Sequence, residues 1–302
     1  MIGEPMILAI GEILYDIFPE YKQLGGAPFN FAYHIAAFGQ PVNFISRIGD
    51  DRNGSEIQDF LRQRNFDARG IQIDTTHRTG DVLIDISKPD DPQYEIVKDR
   101  AYDHISITPE IETLLRGHIT LFYFGSLVQR SDQSRKTVRH ILELLPPGTK
   151  KLYDINLRKE CYTKEIITQS LQYCNILKIN YEETRTVKSL MNYTGTDKSF
   201  LSSLIAAFSL DMICVTRGAE GSAVYTDDNT YSVEAPKVKT IDSVGAGDGY
   251  TAILAVGLLA GWSIPTILER ATEFAKDICL IKGAVPDTTS FYDTYKHWGI
   301  NA

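Results

Sequence analysis

No Gly-Lys-Ser or Gly-Lys-Thr triplet occurs anywhere in the 302 residues, which excludes the lysine-bearing phosphate loop of many nucleotide-binding proteins. No His-Glu-x-x-His pairing exists among the six histidines, so a zinc-hydrolase helix is excluded as well. The four cysteines, Cys161, Cys174, Cys214 and Cys279, include no Cys-x-x-Cys pair. Their wide spacing reads as buried thiols of a reducing compartment rather than as a disulfide frame or a zinc site. Positive charge is also short: 31 Lys and Arg face 39 Asp and Glu, a formal charge of -8. That balance argues against a general nucleic-acid or anionic-membrane binder and favours small-molecule partners. Long apolar runs are missing too. The longest, Thr251–Trp262, falls short of the ~20 residues that span a bilayer. Met6–Ile10 has no Lys or Arg before it and is stopped by Gly11-Glu12, so no signal peptide is expected. The sequons at Asn53 and Asn192 then carry no weight, and a cytoplasmic location is expected. No internal repeat, low-complexity tract or inter-domain linker interrupts the chain.

What is present is the composition of an ordinary globular protein, 43% hydrophobic and 23% charged, in a chain long enough to build a large core. Ile7–Ile10 is a short continuous apolar run between turn residues, the pattern of a strand buried on both faces. Ile13–Phe18 and Lys22–Leu24 read as a strand pair, and a helix begins near Ala27, with Pro28 early in it and Gly39 beyond its end. Val42–Ile48 reads as a strand, followed by a helix carrying Ile57, Phe60 and Leu61. Between Ile71 and Ile105 the helical signal disappears. Asp81–Ile86 and Tyr94–Val97 alternate apolar and polar residues, and Lys88-Pro89-Asp90-Asp91-Pro92 between them is a strong turn signal. From Thr108 helices and strands alternate: Pro109–Leu115, Ile119–Phe124, Asp132–Leu145, Lys151–Ile155, Lys164–Tyr173, Ile176–Ile179 and Met212–Thr216. Units of that length predict an α/β fold with a mostly parallel central sheet flanked by helices. Ala223–Tyr225 and Tyr231–Val233 read as a hairpin.

Ligands of parallel sheets gather at the carboxyl ends of the strands. Three polar segments follow successive strands: Asp154-Ile155-Asn156-Leu157-Arg158, Asn180-Tyr181-Glu182-Glu183 and Thr216-Arg217-Gly218-Ala219-Glu220-Gly221. Late in the chain, Asp242-Ser243-Val244-Gly245-Ala246-Gly247-Asp248 leads into an apolar, helix-like run. Read alone, this stretch admits two readings. Asp248 caps the helix and the glycines form a tight turn; or the free N–H groups of a helix start receive an anion such as a phosphoryl group, with Asp248 positioned as a base. A dinucleotide fingerprint is not an option, because the position that needs a third glycine holds Tyr250.

These residues resemble the ribokinase-like carbohydrate kinases, the PfkB family, and most closely its fructokinases. Asp242–Asp248 matches the family's Asp-Thr-x-Gly-Ala-Gly-Asp, with Ser243 keeping the hydroxyl of the usual Thr. Gly25-Gly26-Ala27-Pro28 with Asn30 and Ala32, and Gly49, Asp51 and Gly54, match its N-terminal signature. Asn180 and Glu183 match its Asn-x-x-Glu, and Val215-Thr216 with Gly218 and Gly221 its nucleotide loop. Gly11-Glu12 with Asp16, Ala101-Tyr102-Asp103 and Asn156-Leu157-Arg158 look fructokinase-like.

The resemblance implies one ribokinase-like domain over residues 1–302, with a small β-sheet lid formed by about 13–24 and 81–101 that in many members also pairs two subunits. It implies ATP-dependent phosphorylation of a sugar's primary hydroxyl, D-fructose to fructose 6-phosphate as first choice. Ribose, 2-keto-3-deoxygluconate and nucleosides are the substrates of other relatives. The rival of another class is a sugar- or nucleotide-binding regulator that lost catalysis. Asp248 would be the base, with the Gly245, Ala246 and Gly247 backbone as an anion hole. Asp16, Gly25, Gly26, Asn30, Tyr102 and Arg158 would face the sugar. Asn180, Thr216, Gly218, Gly221, Gly247 and Lys276 would contact the nucleotide. Glu183 would order Mg²⁺ through its waters, and Asp242 would lie at a monovalent-cation site suited to K⁺. Three positions depart from the family pattern: Arg217, Ile155 and Lys276.

Overall fold

The computed structural model describes residues 4–87 and 93–300. The continuous apolar runs become interior strands of a nine-stranded sheet. β1 (Pro5–Ile10) lies inside it, third from one edge, between β4 (Val42–Gly49) and β8 (His118–Gly125). β9 (Lys150–Asp154), β10 (Ile176–Asn180) and β11 (Met212–Thr216) extend the sheet beyond β8, and β5 (Ile71–Asp74) closes the other edge. These seven strands are parallel, and the hairpin β12 (Ser222–Tyr225) and β13 (Thr230–Val233) adds two antiparallel strands beyond β11.

Both faces of the sheet are covered because its strands are apolar throughout. Side chains alternate between faces. Ile7, Ala9, Leu121 and Tyr123 join one core, and Leu8, Ile10, Phe122 and Phe124 the other. The first is roofed by α1 (Ala27–Ala37), α2 (Arg52–Gln63), α8 (Ala246–Leu259) and α9 (Ile264–Ile278). The second is roofed by α3 (Pro109–Leu115), α4 (Asp132–Leu144), α5 (Lys164–Tyr173), α6 (Tyr181–Leu190) and α7 (Asp197–Phe208). Among the described residues, no helix is long and apolar enough to cross a membrane.

A second sheet of four strands stands apart, in the order β3-β2-β6-β7. β2 (Leu14–Ile17) and β3 (Lys22–Gly25) form the expected antiparallel pair, and β6 (Gly80–Asp85) joins β2 in parallel, with β7 (Gln93–Ile96) outside it. The turn signal at 88–92 lies outside the described residues. The sheet ends at Ile96, so residues 97–101 are not part of it, and Ala101–His104 forms a 3-10 turn packed against β4. β5 carries no strand signal of its own. It is four residues long at a half-exposed edge, and only pairing with β4 makes it a strand.

Candidate active site

Four of the parallel strands, β1, β9, β10 and β11, deliver polar residues to one rim. β1 ends into Gly11-Glu12, β9 ends on Asp154, β10 on Asn180 and β11 on Thr216. Helix α8 meets this rim with its N-terminus. Gly245 is its N-cap, in the left-handed region at φ 79°, and a Cβ there would stand 2.4 Å from Ala284 Cα, so only glycine makes this turn. The reading of Asp248 as a capping residue is overturned. It lies in the first turn of α8, no side chain caps that helix, and its Oδ2 instead accepts a hydrogen bond of 2.8 Å from Asn30 Nδ2. The Ala246 N–H is directed at Ser243 O at 3.4 Å. The N–H groups of Gly247 and Asp248 have no acceptor among the described residues.

Asp248 is half-buried, and burial raises its carboxyl to about 6; Asn30 opposes the rise by its hydrogen bond, while the Asp154 charge adds to it. Asn30 is buried on α1, and its Oδ1 has no partner. Gly26, at φ 110°, precedes α1, and a Cβ on it would stand 2.5 Å from the Glu12 carbonyl oxygen. Asp16 lies over Gly25, with its Oδ2 3.1 Å from where a Cβ would be, and burial raises its carboxyl to about 6 against the opposing charge of Arg158. The Arg158 side chain is exposed and free of hydrogen bonds and ion pairs among the described residues, yet its charge acts on Glu12, Asp16 and Asp248 together. It follows Asn156, which takes the left-handed φ of 35°. Tyr102 is completely buried in the 3-10 turn after the small sheet, under the Arg130 guanidinium, with its hydroxyl unpartnered.

On the other side of the α8 N-terminus lies a cleft of about 820 Å³, within the range of small-molecule sites. Asn180, Thr216, Gly218, Gly221, Gly247 and Lys276 all line it, as do Arg217 and Tyr250. Gly221, at φ 89°, tucks its α-carbon against β13, where a Cβ would meet Val233 O at 2.0 Å. Lys276 pairs with Asp277 at 3.0 Å. Ile155, where the family places proline, is buried and donates its N–H to Lys178 O.

Glu183 is 7% exposed and closes a capping box on α6: its Oε2 accepts from Asn180 N–H at 2.8 Å, and its Oε1 accepts from Leu157 N–H at 2.7 Å. Burial holds its carboxyl above the usual range, against the Lys178 charge. Asp242 is held the same way, each oxygen accepting one backbone N–H, from Val244 and from Gly283, at 3.0 Å. Both carboxylates keep lone pairs beyond these bonds.

Lys178, which the sequence reading passed over, and Glu12, which it named only within a motif, sit in the middle of this geometry. Lys178 is buried within β10 with its Nζ 3.1 Å from Asp154 Oδ1, while Thr251 of α8 donates to Asp154 Oδ2 at 3.0 Å. Its Nζ also lies 3.3 Å from where a Gly247 Cβ would be, directly under the first turn of α8. Burial pulls the Lys178 ammonium down, and the Asp154, Glu183 and Asp248 carboxylates outweigh it, so it stays charged. Glu12 is 4% exposed with Oε2 unpartnered, and burial raises it to about 7 against its own backbone N–H and Arg158. The signal for Lys178 was a lone ammonium inside the apolar run Ile176–Ile179, since a central strand keeps a charge only when it is paired.

A carboxylate with a raised pKa, fixed by an amide, stands in the first turn of a glycine-led helix whose Ala246 and Gly247 line a cleft. Phosphoryl transfer to an alcohol needs a positioned base beside the bound phosphate donor. Residues 20–289 match the model of the pfkB family of carbohydrate kinases. The chain belongs to that family. The kinase is 27% identical to a fructokinase of Escherichia coli over 263 residues, 83% of this chain and 84% of that protein. Its fold matches a double-mutant fructokinase from Vibrio cholerae in a fructose-, ADP- and potassium-bound form, with a TM-score of 0.77 at 22% identity over 97% of this chain and 99% of that one. It also matches aminoimidazole riboside kinase from Salmonella enterica, complexed with aminoimidazole riboside and an ATP analogue, with a TM-score of 0.78 at 21% identity over 96% and 99%. The protein is therefore a carbohydrate kinase, with the fold of those two solved kinases.

Proposed function

We propose that this kinase transfers the γ-phosphoryl group of ATP to the primary hydroxyl of D-fructose, giving fructose 6-phosphate, with Asp248 as the base. The observation that carries the reading is the Asn30–Asp248 hydrogen bond at the N-terminus of α8, whose first turn lines the cleft. Asn30 occupies Oδ2 and leaves Oδ1 to take the sugar's proton. A pKa near 6 makes Asp248 a stronger base than an ordinary aspartate while leaving it ionised at neutral pH. In a loose transition state the base chiefly orients the alcohol, so its fixed position matters more than its strength. Asp16, the Gly25-Gly26 backbone, Asn30 and Arg158 hold sugar hydroxyls, and Tyr102 supports that pocket from behind.

The free N–H groups at Gly247 and Asp248, together with the neighbouring Gly245 and Ala246 backbone, receive charge on the transferring group. The Lys178 ammonium beneath the turn adds positive potential there. The nucleotide takes the cleft along Asn180, Thr216, Gly218, Gly221 and Lys276. Mg²⁺ supplies neutralisation of phosphate charge when bound. Glu183 suits it as an outer-shell holder, because each oxygen already accepts a backbone N–H and keeps a lone pair for a water. Asp242, arranged in the same way, suits K⁺ beside the loop.

The small sheet is proposed as the lid over the sugar and as the surface that pairs two copies. Leu83, Ile86 and Tyr94 lie exposed on and beside it, and Tyr94→Asp is expected to shift a dimer to monomer in sedimentation. Four free cysteines support a reducing, cytoplasmic setting. A ribosyl or nucleoside substrate is the second reading, favoured by the equal likeness to aminoimidazole riboside kinase. An ADP-release assay over fructose, ribose, 2-keto-3-deoxygluconate and nucleosides decides between them. Preferred turnover of fructose supports the first reading. Turnover of a riboside alone overturns fructose but not the kinase, and no turnover with any of them overturns both.

A further inference from the structure

The segments that connect the small sheet to the body run together at one place, outside the residues that line the cleft, and three side chains of metal-binding types meet there. His77 lies between β5 and β6, on the way into the small sheet. Asp99 lies between β7 and the 3-10 turn, on the way out, and His104 ends that turn. Their donor atoms all lie within 4.8 Å of one another. The two imidazoles stack, with ring centroids 3.5 Å apart and planes 13° apart. Asp99 Oδ1 is 2.8 Å from His104 Nε2 and 3.7 Å from His77 Nε2, so both ring nitrogens point at one carboxylate oxygen.

A second carboxylate orients the pair. Asp74, buried at the end of β5, has its Oδ2 3.0 Å from His77 Nδ1, while its Oδ1 accepts the backbone N–H groups of Thr76 and His77. An ionised carboxylate only accepts, so His77 Nδ1 donates to Asp74, and that bond fixes the ring with Nε2 on the side of Asp99. A carboxylate held behind an imidazole in this way is the arrangement found behind metal-ligating histidines. Asp99 also sits in the left-handed region, at φ 58°, where a residue other than glycine is uncommon. Its side chain is 75% exposed, which leaves the outer side open to solvent ligands.

We propose that His77, Asp99 and His104 bind one divalent transition-metal ion of the Zn²⁺ class, and that the ion ties the entry and exit segments of the small sheet together. Two imidazole nitrogens and one carboxylate oxygen suit Zn²⁺, Co²⁺, Ni²⁺ or Cu²⁺, whereas Mg²⁺ and Ca²⁺ prefer all-oxygen shells. Bonds of about 2.0–2.2 Å place tetrahedral ligands roughly 3.4 Å apart, so the donors need close by about 1.5 Å at most, within reach of side-chain rotation. Arg47 pairs with Asp74 at 2.7 Å and donates to His104 O, so Asp74 is already balanced by a guanidinium. Arg100 pairs with Asp81 at 2.6 Å and acts on Asp99 only at longer range. Two imidazoles and a single carboxylate favour a borderline metal over a hard cation.

The test is a titration of the full chain, stripped with a chelator, with Zn²⁺ alone against a chromophoric chelator, and with Mg²⁺ as control. One Zn²⁺ per chain is expected, with affinity at least 100-fold weaker in His77→Gln and His104→Gln, 10- to 100-fold weaker in Asp74→Asn, and unchanged in Cys279→Ser. Binding that is the same in the histidine variants as in the wild type overturns the site. Without any variant, Cu²⁺ added to the wild type should broaden the NMR signals of two of the six histidines; broadening of others instead overturns it as well. Zn²⁺ should slow amide exchange at 75–79 and 97–104, and unchanged exchange on a Zn²⁺-loaded chain overturns the tie between the segments.

Discussion

Asp248 and Glu12 show how much of a site is decided by what surrounds a carboxyl group. Both are raised chiefly by burial, Asp248 to about 6 and Glu12 to about 7, but Asp248 has a side-chain donor fixed on it, whereas Glu12 has its own backbone N–H. Replacing Asp248 by Asn leaves the shape and removes the base, so kcat should fall roughly 10²- to 10⁴-fold with folding intact, measured by ADP release. Wild-type turnover in that variant would falsify the assignment. kcat/KM should lose its upper plateau below about pH 6, because protonated Asp248 cannot accept the hydroxyl proton. With Asp16 and Glu12 nearby, that limb belongs to the coupled set rather than to one residue.

Glu12 has a consequence for stability rather than rate. Its folded pKa lies above the ordinary value of 4.5, so between pH 4.5 and 7 the folded state binds more protons than the unfolded state. Stability from this group is then intact below pH 4.5 and is lost as pH rises toward 7, by on the order of 3 kcal/mol. Glu12→Gln should flatten the fall of Tm across that window, and an unchanged slope counts against the buried acid. Of these residues Asp248 was legible from its motif. Glu12 stood in the sequence as part of the Gly11-Glu12 match without a role of its own, because nothing local says that a residue just after β1 will be buried.

At the scale of elements, the first turn of α8 depends on contacts from three separate parts of the chain. Gly245 packs on Ala284, Gly247 passes over Lys178, and Thr251 reaches Asp154. Gly245→Ala places a Cβ 2.4 Å from Ala284 Cα at a φ of 79°, so the turn must move. Loss of about 1–3 kcal/mol is expected from the backbone alone, with KM for ATP raised, and a variant as stable and as active as wild type would disprove the role given to this turn. Lys178 and Asp154 form a buried pair beneath it. Lys178→Met strands the Asp154 carboxylate and should cost about 3–5 kcal/mol in a denaturant melt. The double change with Asp154→Leu should recover part of that loss, and no recovery would show that the two do not act as a pair. The Gly-Ala-Gly-Asp run announced the helix start, but the lysine below it comes from a strand about 70 residues earlier.

For the whole molecule, the apolar strands and alternating helices were enough to foresee a parallel sheet covered on both faces, since a strand with no polar side has nowhere else to go. The edge strand β5 and the end of the small sheet at Ile96 were not foreseen. An edge strand owes its conformation to the neighbour it pairs with, and of the four residues of β5 only Asp74 is fully buried. Sequence alone determined the strand–helix order, the glycines that only a tight approach requires, and the carboxylates at strand ends. The tertiary structure decided which of those polar groups meet. Asn30 is 218 residues from Asp248, yet it fixes that side chain, and the paired Lys178 and Asp154 belong to different strands. Local pattern records whether a residue is buried in its own element, whereas a site is made of side chains brought together by packing from elements far apart in the chain.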